Sequence, residues 1–170
     1  FAFALSSAFC SLASAGEVKV PVEPMAPPLL GCSCFDAGFE FSGFGGGFLP
    51  ENGADDALGG GASLSYFFNE NIGAEFSYGV FATDPSEEHV VTGNLVLRFP
   101  LEESCIAPYL LVGGGLLTNS GTDGLFDVGG GVDIRFESWG CVGLFGDATY
   151  NWAEDDREFT LIRLGVRIPF

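Results

Sequence analysis

The sequence predicts an all-β chain, an eight-stranded antiparallel up-and-down transmembrane β-barrel. Composition is the first observation behind this expectation. Hydrophobic residues make up 47% of 170 residues, with 18 Phe and 26 Gly. Past the N-terminal region, no uninterrupted apolar run approaches the ~18 residues of a membrane-spanning helix. The second observation is period-2 alternation, which recurs in eight runs from Cys34 onward. Each run is long enough to cross a bilayer as a tilted strand, which takes ~9–11 residues. The third is what the two sides of the runs carry. One side holds Arg98, Asp133, Arg135, Arg163 and Arg167, and the other holds Phe76, Phe126, Phe136 and Ile162. A soluble lipocalin-like barrel turns its apolar side inward and avoids exposing such residues to water. Charges inside and apolar side chains outside are the arrangement of a barrel facing lipid.

The charge balance excludes some function classes. Lys and Arg total 6 against 23 acids, a formal charge of −17, so nucleic-acid binding, which needs clustered cations, is not expected. The apolar content is too high for a disordered chain. The triplets Gly45-Gly46-Gly47, Gly59-Gly60-Gly61 and Gly129-Gly130-Gly131 have no Lys-Ser/Thr after them. They are read as close-packing positions in curved strands rather than phosphate loops.

Residues 1–15 (FAFALSSAFCSLASA) are apolar, rich in small residues and end in Ala13-Ser14-Ala15. They are read as an N-terminally incomplete signal peptide cleaved before Gly16. Residues 16–33 form a Pro-rich periplasmic segment, and residues 34–170 the barrel. The first run, Phe35 to Phe48, sets Phe35, Ala37, Phe39 and Phe41 against Asp36, Gly38, Glu40 and Ser42. The others span Ala57 to Phe68, Ile72 to Ala82, His89 to Phe99, Pro108 to Thr118, Leu125 to Glu137, Cys141 to Trp152 and Phe159 to Phe170. The fifth is apolar on both parities, and its faces stay open. An even strand count puts both ends of the barrel on the periplasmic side. The loops at Pro50–Asp56, Asp84–Glu88, Asn119–Gly124 and Glu154–Glu158 then face the exterior. Tyr66, Phe68, Phe99, Tyr109, Trp139, Tyr150, Trp152 and Phe170 fall near strand ends, where interfacial aromatics belong.

The last strand resembles the C-terminal signal of bacterial outer-membrane barrels: a polar residue, a Gly, an apolar residue and a terminal aromatic, here Arg163, Gly165, Ile168 and Phe170. The resemblance implies that the barrel-assembly machinery reads this strand. Pro169 departs from the pattern, since it removes one N–H from the ladder, a loss tolerable at a strand terminus. Residues 34–170 as a whole resemble the small outer-membrane β-barrel family of OmpA-type and OmpX-type barrels. The fifth-strand stretch Ala107-Pro108-Tyr109-Leu110-Leu111-Val112-Gly113-Gly114-Gly115 and the sixth-strand stretch Gly129 to Phe136 carry this likeness. It implies a barrel in the bacterial outer membrane. No peptidoglycan-binding domain is expected after the barrel.

Glu40, Glu75, Arg98, Asp133, Arg135, Glu137, Arg163 and Arg167 are expected to face the periplasmic half of the lumen, together with Asp36. The interior of eight strands is only wide enough for side chains to fill it, and charges buried together are usually paired. These residues are therefore read as ion pairs plugging the barrel. A gated, cation-preferring pore is the functional alternative, since acids outnumber arginines. The exterior loops carry Glu51, Asp55, Asp56, Asp84, Glu87, Glu88, Asp123, Glu154, Asp155, Asp156 and Glu158 against Arg157. This crown lacks a recognised calcium spacing and is read as a solvated rim. His89, the only histidine, has no nucleophile motif near it, so no enzyme is expected.

Once Cys10 leaves with the signal, Cys32, Cys34, Cys105 and Cys141 remain, all at the periplasmic end, where disulfides persist. A bridge within Cys-x-Cys closes a very small ring. Cys32 and Cys34 are therefore expected to meet Cys105 and Cys141 separately, drawing the N-terminal segment across the periplasmic mouth. A metal site there lacks a His to complete its ligands. Neither metal nor cofactor is expected. The expected partners are outer-membrane lipid and the assembly machinery, on a monomer whose external partner stays open. The expected role is structural or surface-interactive, with a narrow cation-preferring pore for small molecules as the alternative.

Overall fold

A computed structural model describes residues 32–51, 53, 55–83, 87–101, 103–119, 121–154 and 157–170. The expected signal peptide and most of the 16–33 segment lie outside the described residues, as do Asp84, Asp155 and Asp156 of the acidic crown. Eight strands follow one another around a closed antiparallel barrel: β1 (Gly38–Pro50), β2 (Ala57–Phe67), β3 (Ile72–Ala82), β4 (Glu87–Arg98), β5 (Ile106–Thr118), β6 (Thr122–Phe136), β7 (Val142–Ala153) and β8 (Arg157–Pro169). β8 returns to β1 with Glu40 opposite Pro169 and Pro50 opposite Phe159. Closure leaves no strand edge unpaired, which is what allows a sheet to stand in lipid. Among the described residues no helix is long and apolar enough to cross a membrane.

Strict alternation decides which side chains meet lipid. Phe41, Phe76, Leu95, Phe126, Ile134 and Leu164 are exposed on the outside, while Glu40, Glu75, Asn94, Asp127, Arg135 and Arg163 are buried inside. The faces of β5 are now assigned, with Leu110 and Val112 outward and Ala107, Tyr109 and Leu111 inward. Apolar residues on both parities are needed there because the inward ones pack against other lumen side chains. At the rim bearing the chain ends, aromatic rings run from Phe170 to Phe39, Tyr66 and Phe68 with centroids 5.9, 4.7 and 5.2 Å apart in turn. At the opposite rim Trp152 lies against Phe126 and Tyr150. Tyr109 is not part of either girdle. It sits on the inward parity of β5, 2% exposed.

The interior has two layers. Towards the loop rim it is apolar, built from Phe44, Phe48, Phe81, Val90, Leu117 and Phe159 among others. Towards the rim bearing the chain ends it is charged, with Phe67, Val96, Tyr109 and Leu111 packed around the charges. Glycines on the inner wall make room for the large lumen rings. A Cβ at Gly73 would lie 2.7 Å from the Phe67 ring, and one at Gly165 would lie 2.7 Å from the ring of Phe145. The Gly of the C-terminal signal thus has a packing role of its own.

Candidate functional site

The charged layer draws its residues from β1, β3, β4, β6, β7 and β8, so only the closed barrel brings them together. Glu40 of β1 accepts from Arg98 Nη1 at 2.9 Å and from Arg135 Nη2 at 2.8 Å. Arg135 also donates Nε and Nη2 to the two oxygens of Asp133, at 2.8 and 2.7 Å. Arg167 reaches Asp133 at 3.1 Å and Glu75 at 3.2 Å, and donates to Ser42 Oγ at 3.1 Å. Arg163 pairs with Glu75 at 3.0 Å and, through two parallel bonds of 2.8 and 2.9 Å, with Asp147. Tyr109 donates its hydroxyl to the same Asp147 at 2.7 Å. Planar guanidinium forks meeting carboxylates edge-on give these pairs both strength and fixed geometry.

Most of the expected lumen residues therefore meet. Glu137 does not. It falls in a single 3-10 turn, Glu137–Trp139, and is exposed. β6 ends at Phe136, so the alternation that would have turned Glu137 inward stops one residue earlier. Glu137 instead accepts from the Ser33 backbone N–H at 3.1 Å. Asp36 is also exposed, because β1 begins at Gly38 rather than Phe35. Sequence reading placed Asp147 on the inward side of its run but not in the network; its partner on β8 depends on barrel closure. Within the network four arginines face Glu40, Glu75, Asp133 and Asp147, so the surplus of acids lies outside these pairs.

Residues 32–37 form a strap over this layer. Cys32 bonds to Cys105 and Cys34 to Cys141, so each cysteine of the Cys-x-Cys pair meets a distant partner as expected. Cys105 and Cys141 both adopt positive φ, 52° and 63°, in the tight connections before β5 and β7. The sulfurs of Cys32, Cys34 and Cys105 and a Glu137 oxygen lie within 4.8 Å of one another. With the sulfurs in disulfides, no thiolate is left to bind a metal. Phe35 was expected on the lipid side of the first run. It lies instead inside the mouth at 4% exposure, its ring 5.0 Å from the Arg98 guanidinium carbon and 5.6 Å from that of Arg135.

At the loop rim, Glu88 departs from the expected solvated crown. It belongs to β4, points inward and is buried. Arg157 joins it at 3.0 Å and Asp123 at 3.0 Å, and Asn119 donates to Glu88 at 2.8 Å. Between the two interior layers lies a cavity of ≈10 Å³ lined by Ser77, Thr92, Asn94, Asp127, Asn151 and Arg163 among others. This is about the space of one water molecule. On the outer surface, His89 Nδ1 lies 2.9 Å from the Tyr78 hydroxyl.

No family model matches the chain, and no curated protein matches it. Solved structures do. The crystal structure of Neisserial surface protein A matches with a TM-score of 0.66 at 16% identity, over 79% of this chain and 98% of that one. The chain has the fold of a small outer-membrane β-barrel. Ail, the attachment invasion locus protein of Yersinia pestis, matches with a TM-score of 0.56 at 15% identity, over 78% and 99% of the two chains. The outer-membrane enzyme PagL matches with a TM-score of 0.52 at 13% identity, over 77% and 99%. The outer-membrane location expected from the sequence agrees with these neighbours.

Proposed function

We propose that this chain is a closed barrel anchored in the bacterial outer membrane, acting through its exposed rim as a structural or surface-interaction protein. The filled lumen is the observation that carries this reading. Guanidinium–carboxylate pairs occupy one half, packed rings the other, and the space left between them is ≈10 Å³. Water-filled channels belong to barrels of many more strands. Neighbours named as a surface protein and an attachment protein give the surface role its precedent. A non-catalytic role fits His89, whose ring is engaged by Tyr78 on the outer wall. The strap and both disulfides then lie on the periplasmic side, and the rim bearing Glu51, Asp55, Asp56 and Glu87 faces the exterior.

Location and orientation are tested together. An epitope inserted after Asp56 is expected to bind antibody on intact cells, with the protein in the outer-membrane fraction and its gel mobility changed by boiling. Binding only after the cells are permeabilised would reverse the orientation. A detergent-independent soluble monomer would end the membrane reading.

A further inference from the structure

Asp127 of β6 is the lumen charge that the network leaves out. Its side chain is buried at 1% exposure and lines the ≈10 Å³ cavity between the charged and apolar layers. Arg163 lines the same cavity, but its donors are committed: Nε and Nη2 to Asp147, and Nη1 to Glu75 and Ser77. Among the described residues no guanidinium is within ion-pair distance of Asp127; the lumen arginines bind Glu40, Glu75, Asp133 and Asp147. With its amide nitrogen turned towards Asp127, Asn94 donates to Oδ1 at 2.9 Å and to Oδ2 at 3.1 Å. That donor is neutral, so an ionised Asp127 has no countercharge bonded to it in the middle of the barrel. A buried lone carboxylate costs far more than a neutral hydrogen bond returns.

The rest of the wall is mixed: Thr92, Thr149 and Asn151 bring oxygen to it, beside the apolar Phe44, Phe81, Val90 and Leu161. Asn151 spends its amide nitrogen on Thr149 O at 3.0 Å, Thr149 Oγ1 at 3.2 Å and Phe159 O at 3.3 Å, so the group it has left to offer is its carbonyl oxygen. Carboxylate, hydroxyl and amide oxygens around a water-sized space are the ligand set of a hard cation. Charge selects its valence. One positive charge balances Asp127, whereas a divalent ion would leave the lumen with an excess. We propose that the chamber at Asp127 binds one small alkali-metal cation, of the size of sodium, which completes the neutralisation of the lumen.

Thermal unfolding of the refolded protein in uncharged detergent tests this. Sodium chloride is exchanged for N-methyl-D-glucamine chloride at constant ionic strength, so that general screening cancels. The wild-type midpoint should rise by roughly 3–5 °C for each tenfold increase in sodium above its dissociation constant. Asp127→Asn removes the charge at nearly constant shape, and its midpoint should not respond. A sodium-independent wild type, as expected for an uncharged Asp127 carboxylic acid, overturns the proposal. So does an Asp127→Asn variant that keeps the response. Should that variant fail to fold, wild-type crystals grown in sodium chloride and in N-methyl-D-glucamine chloride decide: a density peak at metal–oxygen rather than water distance from the Asp127 carboxylate, present in sodium and absent without it, supports the site, and no such peak in sodium overturns it.

Discussion

Phe35 lies against Arg98, its ring centre 5.0 Å from the guanidinium carbon, and Arg98 in turn sits 3.6 Å from the centre of the Phe67 ring. Arg98 Nη2 has no hydrogen-bond partner, and the two rings supply the electron-rich surface next to it. The strap and the lumen network are thus one packed unit, held together by Cys34–Cys141 next to Phe35. Replacing both cysteines, Cys34→Ser with Cys141→Ser, should cost roughly 2–5 kcal/mol, the range for removing a native disulfide. Phe35→Ala in the disulfide-bonded protein should also destabilise, by about 3 kcal/mol, since it opens a cavity against Arg98. Urea titration of refolded protein measures both. A wild-type midpoint for Phe35→Ala would mean that the ring does not close the mouth.

Arg167 spans Asp133, Glu75 and Ser42 in a fully buried setting, whereas Arg157 joins Glu88 and Asp123 at a rim where its side chain is 35% exposed. Removing one partner from a buried network strands the others. Arg167→Leu should therefore cost about 3–5 kcal/mol, and Arg157→Leu about 1–3 kcal/mol, because its pair with the more exposed Asp123 is worth little but its loss leaves the buried Glu88 carboxylate with Asn119 as the remaining donor. Equal losses in urea titration would show that water reaches the lower lumen as freely as the rim.

The three atoms nearest a would-be Cβ at Gly73 all belong to the ring of Phe67, at 2.7 to 3.0 Å. Gly73→Ala should push that ring off Arg98 and cost about 1–3 kcal/mol, as overpacking does. Adding Phe67→Leu should recover part of the loss. A double-mutant cycle with no coupling between the two sites would refute the contact.

Val128 is exposed on the outer face midway along β6, opposite Val112 of β5 and Tyr150 of β7, while Leu58 is the second residue of β2, close to the loop rim, and is 80% exposed. Val128→Arg should cost about 2–4 kcal/mol, and Leu58→Arg about 0–1 kcal/mol, because the penalty falls from bilayer midplane to interface. Refolding into vesicles and urea titration compare them. A fully tolerated Val128→Arg would place that face away from lipid.

Phe170 ends the chain stacked on Phe39, and its backbone N–H bonds to Phe39 O at 3.0 Å. Phe170→Ala should lower the amount of folded protein in the outer membrane more than it lowers stability after refolding in detergent. Wild-type membrane levels would remove the assembly-signal reading.

Strand number, order and, outside β5, facing were legible because period-2 alternation is local: Glu75, Ser77 and Gly79 inside against Phe76 and Tyr78 outside need nothing beyond β3 itself. The four network arginines could be picked out the same way. What was not legible depended on distant partners or on where alternation stops. Tyr109 reads as an interfacial aromatic until barrel closure brings Asp147 within reach of its hydroxyl. Glu137 keeps the parity of Arg135, but the chain turns before it. Phe48, Phe81 and Phe159 lie far apart in sequence, and only barrel closure brings them together at the centre of the loop-side half. The cysteine pairing was narrowed by topology, which placed all four at one rim, and the disulfides then joined each Cys-x-Cys member to a different connection.

Single-channel recording in planar bilayers tests the closed lumen most directly. The refolded, disulfide-bonded protein is predicted to give no stable conductance steps, because the ion-pair layer, the ring layer and the strap all lie across the same path. Stable, cation-selective openings that disappear on neutralising Glu75 or Asp133 would contradict the account and establish a pore.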